Sequence, residues 1–141
     1  MEPRDMALTQ ARGRIAIGLW NVVMPGVAGR VWIGDDARRP AVKLIARAFG
    51  VRDAVLGLGV VVALDRGAPV RGWLEACAVA DGVDAAATFL AGDSIPAAAR
   101  RGVLALAIGS SAAAAWLSRQ LDEPVGEDEV HAPEAKLTGH P

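Results

Sequence analysis

The chain has 141 residues, 52% of them hydrophobic and 22% charged, with a formal net charge of -1. That length suits one domain, and a near-neutral balance with no basic cluster among aromatics gives no nucleic-acid-binding surface. Cys77 is the single cysteine, which excludes an internal disulfide, and no Cys or His pair stands at metal-ligand spacing.

In chain order, the sequence predicts four apolar helices between charged connectors. Residues 1–14 mix charges with Pro3 and Gly13 and read as an N-terminal polar segment, mobile or lying at an interface. The first apolar block, residues 15–33, has about the length needed to cross a hydrocarbon core, roughly 20 residues. Arg12 and Arg14 before it would suit a signal peptide, but no small-x-small cleavage site follows, so the block reads as a retained span. Pro25 near its middle predicts a kink rather than a break, because neighbours in a membrane helix can satisfy the freed carbonyl. Arg30 near its end can snorkel toward headgroups. Gly18, Asn21, Pro25 and Gly29 make one small, polar stripe that should pack against protein. Asn21 should either bond the carbonyl freed by Pro25 or line a site.

Residues 34–40, with Asp35, Asp36, Arg38 and Arg39, read as a turn. Beyond Ala41, either an interfacial amphipathic helix reaches about Phe49 or one continuous helix starts at headgroup level. The uninterrupted apolar part, residues 54–64, is too short to span a bilayer, so Arg52 and Asp53 should lie within or close to the membrane. After a turn-rich connector, residues 73–91 form a third block containing Glu75, Asp81 and Asp84. Ser94 suits an N-cap for the fourth block, residues 97–117, which is apolar and small from Gly102 onward. The acidic, Pro- and Gly-containing tail, residues 119–141, reads as disordered, with solvated His131 and His140.

Three features favour a bilayer over a soluble bundle that buries its fourth helix. Small residues recur at four-residue spacing in Ala46, Gly50, Ala54 and in Ala105, Gly109, Ala113, which lets membrane helices approach closely. Trp32, Trp73 and Trp116 fall near block ends, where an interfacial belt would place them. The fourth block offers only Ser110 and Ser111 for a polar face. The fold class expected is therefore all-α, a four-helix transmembrane bundle with spans at about 15–33, 44–64, 73–91 and 97–117 and an interfacial segment before the second. Lys and Arg divide seven against seven between the two sides, so the positive-inside rule sets no orientation.

Charges inside apolar blocks need a partner or water. Asp81, Asp84 and Thr88 share a helix face. Asp53 lies on the small face of Ala46, Gly50, Ala54 and Gly57, with Arg52 about 100 degrees round. The simplest assembly pairs Arg52 with Asp84 or Asp81 between the second and third helices, which sets one Arg against three Asp and leaves at least one carboxylate without a cation. Arg52, Asp53, Asp81 and Asp84 are thus the candidate cluster, with Asn21 and Thr88 as further lining residues. Either the unbalanced carboxylate is held neutral, as proton-carrying carboxylates are, or it faces a hydrated groove and the cluster only fixes helix pairing. No Ser-His-Asp set, P-loop or dinucleotide fingerprint is present, so neither an enzyme nor a cofactor is expected.

Pro25 in the first block, Gly-x-Arg-Asp-x-x-Leu-Gly at residues 50–57 and Asp-x-x-Asp at residues 81–84 occur in an order that resembles uncharacterised four-helix integral membrane proteins of actinobacterial type. A composition rich in Ala, Arg, Val and Gly suits a GC-rich bacterial genome. The resemblance covers roughly residues 15–117 and implies a multi-pass protein of the bacterial inner (plasma) membrane, with no activity attached. Two functions are expected to compete. One is a non-enzymatic accessory or scaffold subunit in the lipid bilayer, partnered by copies of itself or by another membrane protein. The other is a small oligomeric transporter or proton-coupled carrier using the Arg/Asp cluster.

Overall fold

A computed structural model describes residues 1–121, which are all-α with no strand among them. The helices are α1 (Pro3–Val23), α2 (Pro25–Ile33), α3 (Pro40–Asp65), α4 (Arg71–Ala91) and α5 (Ala97–Gln120), with short 3-10 turns at Gly34–Arg38 and Gly92–Ser94. Pro3, Pro25 and Pro40 open their helices, where a missing N–H and a fixed φ cost nothing. Residues 122–141, most of the expected tail, lie outside the described part, while Arg119 belongs to α5.

Three expectations are corrected. Residues 1–14 are not a separate polar segment, because most of them form the first half of α1. Ala7, Ala11, Arg14 and Gly18 are spaced four, three and four apart, which places them on one helical face, and all four are buried. Pro25 breaks the first apolar block rather than kinking it. Met24, which precedes the proline and is therefore disfavoured in the α region, sits at φ -124° and ψ 55°, and the chain bends by 108° there. No interfacial segment stands apart before the second apolar block, because α3 is one helix of 26 residues.

Beyond the bend, α2 and the 3-10 turn fold back on themselves, with Ala37 fully buried and 3.0 Å from where a Cβ on Gly29 would lie. Gly34, at φ 66°, makes that reversal, in the left-handed region that glycine enters at least cost. Chain then returns along α1: a Cβ built on Gly18 would lie 2.5 Å from the Gly50 carbonyl oxygen, and one on Gly57 would lie 2.6 Å from the Ala11 carbonyl oxygen. The small face of α3 therefore packs against α1, antiparallel and nearly backbone to backbone. Arginines tie its two ends, since Arg4 Nη2 donates to the Leu64 carbonyl at 3.1 Å and Arg47 Nε to the Val22 carbonyl at 3.2 Å. Both carbonyls belong to helix C-terminal turns that lack intrahelical partners.

A second close pair, α4 with α5, is joined through Gly92. Packing within each pair is extensive, whereas α3 meets α4, and α1 meets α5, only narrowly. A modest core fills the end where Ala11, Val60, Leu74, Cys77, Ala114 and Leu117 meet. By length and composition, α5 alone could cross a membrane, and α1 with α2 could do so only if the bent pair is counted as one span. The described helices thus provide one or two such candidates rather than four, because charges interrupt α3 and α4.

Candidate functional site: a buried Arg–Asp network

Arg14 is on the buried face of α1, and its side chain is only 6% exposed. Its Nη1 donates to Asp53 Oδ1 of α3 at 3.0 Å, and its Nη2 donates to Asp81 Oδ2 of α4. Arg52 of α3 meets Asp84 of α4 fork to fork, with Nη1–Oδ1 at 3.1 Å and Nη2–Oδ2 at 2.6 Å. This bidentate geometry is among the stronger pairings available to a carboxylate. Arg52 Nη2 and Nε also reach Asp53 Oδ1 at 3.0 and 3.3 Å, and its guanidinium carbon stands 4.9 Å from the Phe49 ring centroid, within cation–π range. The result is one alternating chain across three helices, Asp81–Arg14–Asp53–Arg52–Asp84, in which a single Asp53 oxygen accepts from both guanidiniums.

The expectation of one Arg against three Asp is corrected accordingly, because Arg14 supplies a second cation and each carboxylate has a guanidinium. Position within the sequence hid it: a charge at the border of a polar segment looks like a flank. The signal that could have revealed it is the Ala7, Ala11, Arg14, Gly18 spacing, which puts the charge on a small-residue face.

The two expected lining residues serve their own helices. Thr88 Oγ1 donates to the Asp84 carbonyl at 2.7 Å, steadying the backbone that carries the network's end. Asn21 Nδ2 donates to the Ile17 carbonyl at 2.9 Å. It does not reach the carbonyl that Pro25 leaves free, which is its own, since a helical residue donates four positions back.

Neutral polar bonds flank the ion pairs. Gln10 Nε2 donates to the Ser110 carbonyl and to Ser110 Oγ, both at 2.9 Å, and links α1 to α5. Ser111 Oγ donates to the Ala78 carbonyl at 2.8 Å and holds α4 to α5. Gln10 Oε1 is buried without a partner, beside a void of about 10 Å³ that Arg14 and Cys77 also line. That volume is at the lower limit for one water, so no cavity of substrate size opens on the network here. Among the described residues no cluster of His, Cys, Asp and Glu could hold a metal ion. No family model matches the chain, and no curated protein or solved structure matches it either.

Proposed function

We propose that this protein is a multi-pass integral membrane protein, a non-enzymatic accessory or scaffold subunit in which the Arg–Asp network locks α1, α3 and α4 together. One observation carries the membrane reading: the inside and outside of the bundle are inverted relative to a protein folded by burial of large apolar groups. Among the described residues the largest fully buried side chains are Leu74, Leu117 and Val60, while the rest of the interior is mostly Ala and Gly, with Val70, Cys77, Thr88, Ser118 and the Arg14–Asp81 ion pair. Large apolar side chains face outward on every helix, including Trp20, Val31, Phe49, Val55, Phe89 and Leu106. Both Phe residues are exposed, although bulky apolar residues are ordinarily drawn inside and large exposed apolar surfaces mark contact with a partner or a membrane. Only 22% of the apolar window of α5 is buried, which disfavours the soluble bundle built around that helix.

A bilayer fits this inversion, since lipid leaves no hydrophobic force between helices and rewards small residues at interfaces and paired charges inside. The scaffold reading is favoured because the carboxylates are partnered and no substrate-sized cavity opens on them. It is favoured also because α5 presents an exposed small-residue stripe, where a Cβ on Gly102 or Gly109 would meet nothing within 4 Å. Another membrane helix could approach there. A carrier draws its support from the surplus of three carboxylates over two guanidiniums.

The protein is expected to stay in bacterial membranes through carbonate washing and to need detergent for release; release by carbonate overturns the membrane reading. Asp81→Asn and Asp84→Asn are expected to lower the yield of detergent-stable protein. A solute or proton flux in reconstituted vesicles that the native protein carries and these variants lose would establish the carrier instead.

A further inference from the structure

The bend at Pro25 opens a cleft of about 370 Å³ on the outside of the bundle, away from the Arg–Asp network. Four cations line it: Arg30 of α2, Arg38 of the following 3-10 turn, and Lys43 and Arg47 of α3. Pro25, Gly26 and Val27 line it too, so the first turn of α2 is at the same place. Its N-cap residue, Met24, makes no side-chain cap. The Val27 and Ala28 N–H groups already donate to the Met24 carbonyl, so it is the positive end of the helix dipole that favours an anion there, in addition to the four side chains.

Among the described residues little answers this charge. Asp35 is 3.6 Å from both Arg30 and Arg38, but its side chain is 82% exposed, and such loose surface pairs are weak. Lys43 has no ion pair among the described residues. Its Cε lies 3.2 Å from where a Cβ on Gly26 would be, so the glycine leaves room for the lysine stem to lie across the cleft. Arg47 is anchored by its Nε bond to the Val22 carbonyl, which orients the side chain without neutralising it.

The same cleft is apolar on its flank. Met24 and Val27 line it and are more than half exposed, and Val31 continues that face one turn further along α2. A free inorganic anion would use the cations and leave this flank bare. The geometry points to a site for an anionic phospholipid, whose phosphate headgroup is held by Arg30, Arg38, Lys43 and Arg47 while its acyl chains lie along Met24 and Val27. This inference rests on the membrane reading above, since an open cleft suits a ligand whose remainder is already anchored in the bilayer. Basic pockets at the ends of membrane helices recognise acidic headgroups by this chemistry.

The test uses the full chain in a neutral detergent, titrated with short-chain phosphatidylglycerol, short-chain phosphatidylcholine and inorganic phosphate, with intrinsic Trp fluorescence and thermal unfolding as readouts. Phosphatidylglycerol is expected to bind and stabilise at least tenfold more strongly than phosphatidylcholine. Lys43→Gln and Arg38→Gln should each weaken it about fivefold, the effect of one cation near a headgroup. Arg101→Gln, at the same end of the bundle but outside the cleft, should leave binding unchanged. Equal response to the two lipids overturns the site, as does an equal loss with Arg101→Gln, which would indicate diffuse surface charge. Inorganic phosphate binding as well as phosphatidylglycerol overturns the lipid in favour of a soluble anion. Protein that needs detergent yet does not discriminate between the lipids leaves the membrane reading standing and removes the site alone, whereas carbonate release removes both.

Discussion

Burial strips water from the Arg14 guanidinium, and Asp53 and Asp81 are what offset that cost. Removing one partner of a buried pair leaves an uncompensated charge, whereas replacing both by apolar groups of similar volume is often neutral. Arg14→Met is therefore expected to lower stability by about 3–5 kcal/mol, measured by denaturant unfolding of the detergent-solubilised protein. The double variant Arg14→Met/Asp81→Leu should recover most of that loss, because Asp53 retains Arg52. A double variant no better than the single would mean that Arg14 acts through packing rather than charge. Arg52 and the three Asp are visible in the sequence because they interrupt apolar runs. Arg14 is visible only once the chain before it is taken as helix, and what that helix packs on is a long-range fact that no local spacing contains.

At the scale of the helix, α1 and α3 approach so closely that two glycines substitute for a layer of side chains. A methyl group on Gly50 would meet the Gly18 carbonyl oxygen at 2.5 Å and Asn21 Cβ at 2.9 Å, so one helix must shift. Gly50→Ala should cost about 1–3 kcal/mol, the usual penalty of overpacking. Gly109→Ala on the open face of α5 should instead gain up to about 1 kcal/mol, since a glycine in a helix interior is entropically costly. Comparing the two melting temperatures in one detergent checks the assignment, and a stabilised Gly50→Ala would contradict the close approach. The limits of α4 and α5 are legible to within a few residues from Gly, Pro and charge punctuation. Whether Pro25 kinks or breaks the first apolar block is not, because that depends on whether a neighbour satisfies the Asn21 carbonyl, and the Asn21 side chain turns back to Ile17 instead. The small face of α3 was equally visible, but its partner was not: the spacing is the same whether α1 or α4 lies opposite.

At the scale of the molecule, helix is legible in the four apolar blocks, where apolar spacing and proline placement agree, but not in the first half of α1, whose polar composition conceals it. The number of helices able to cross a membrane is not legible, because α3 and α4 carry charges that only the assembled bundle pairs. That assembly is divided in two. The α1–α3 half contributes Arg14, Arg52 and Asp53 to the network, one positive charge in excess, and the α4–α5 half contributes Asp81 and Asp84, two negative charges. Close packing is concentrated within each half, and the seam between them is narrow. The halves are thus electrostatic complements, and the connector that joins them, around Gly67, has open space about it. Severed there and produced together, fragments 1–67 and 68–141 are expected to find each other and co-purify from detergent, and Asp81→Asn with Asp84→Asn in the second fragment should abolish the capture. The narrow seam then acts as a recognition surface, and the polypeptide behaves as two helical hairpins covalently held to a partnership their charges already specify.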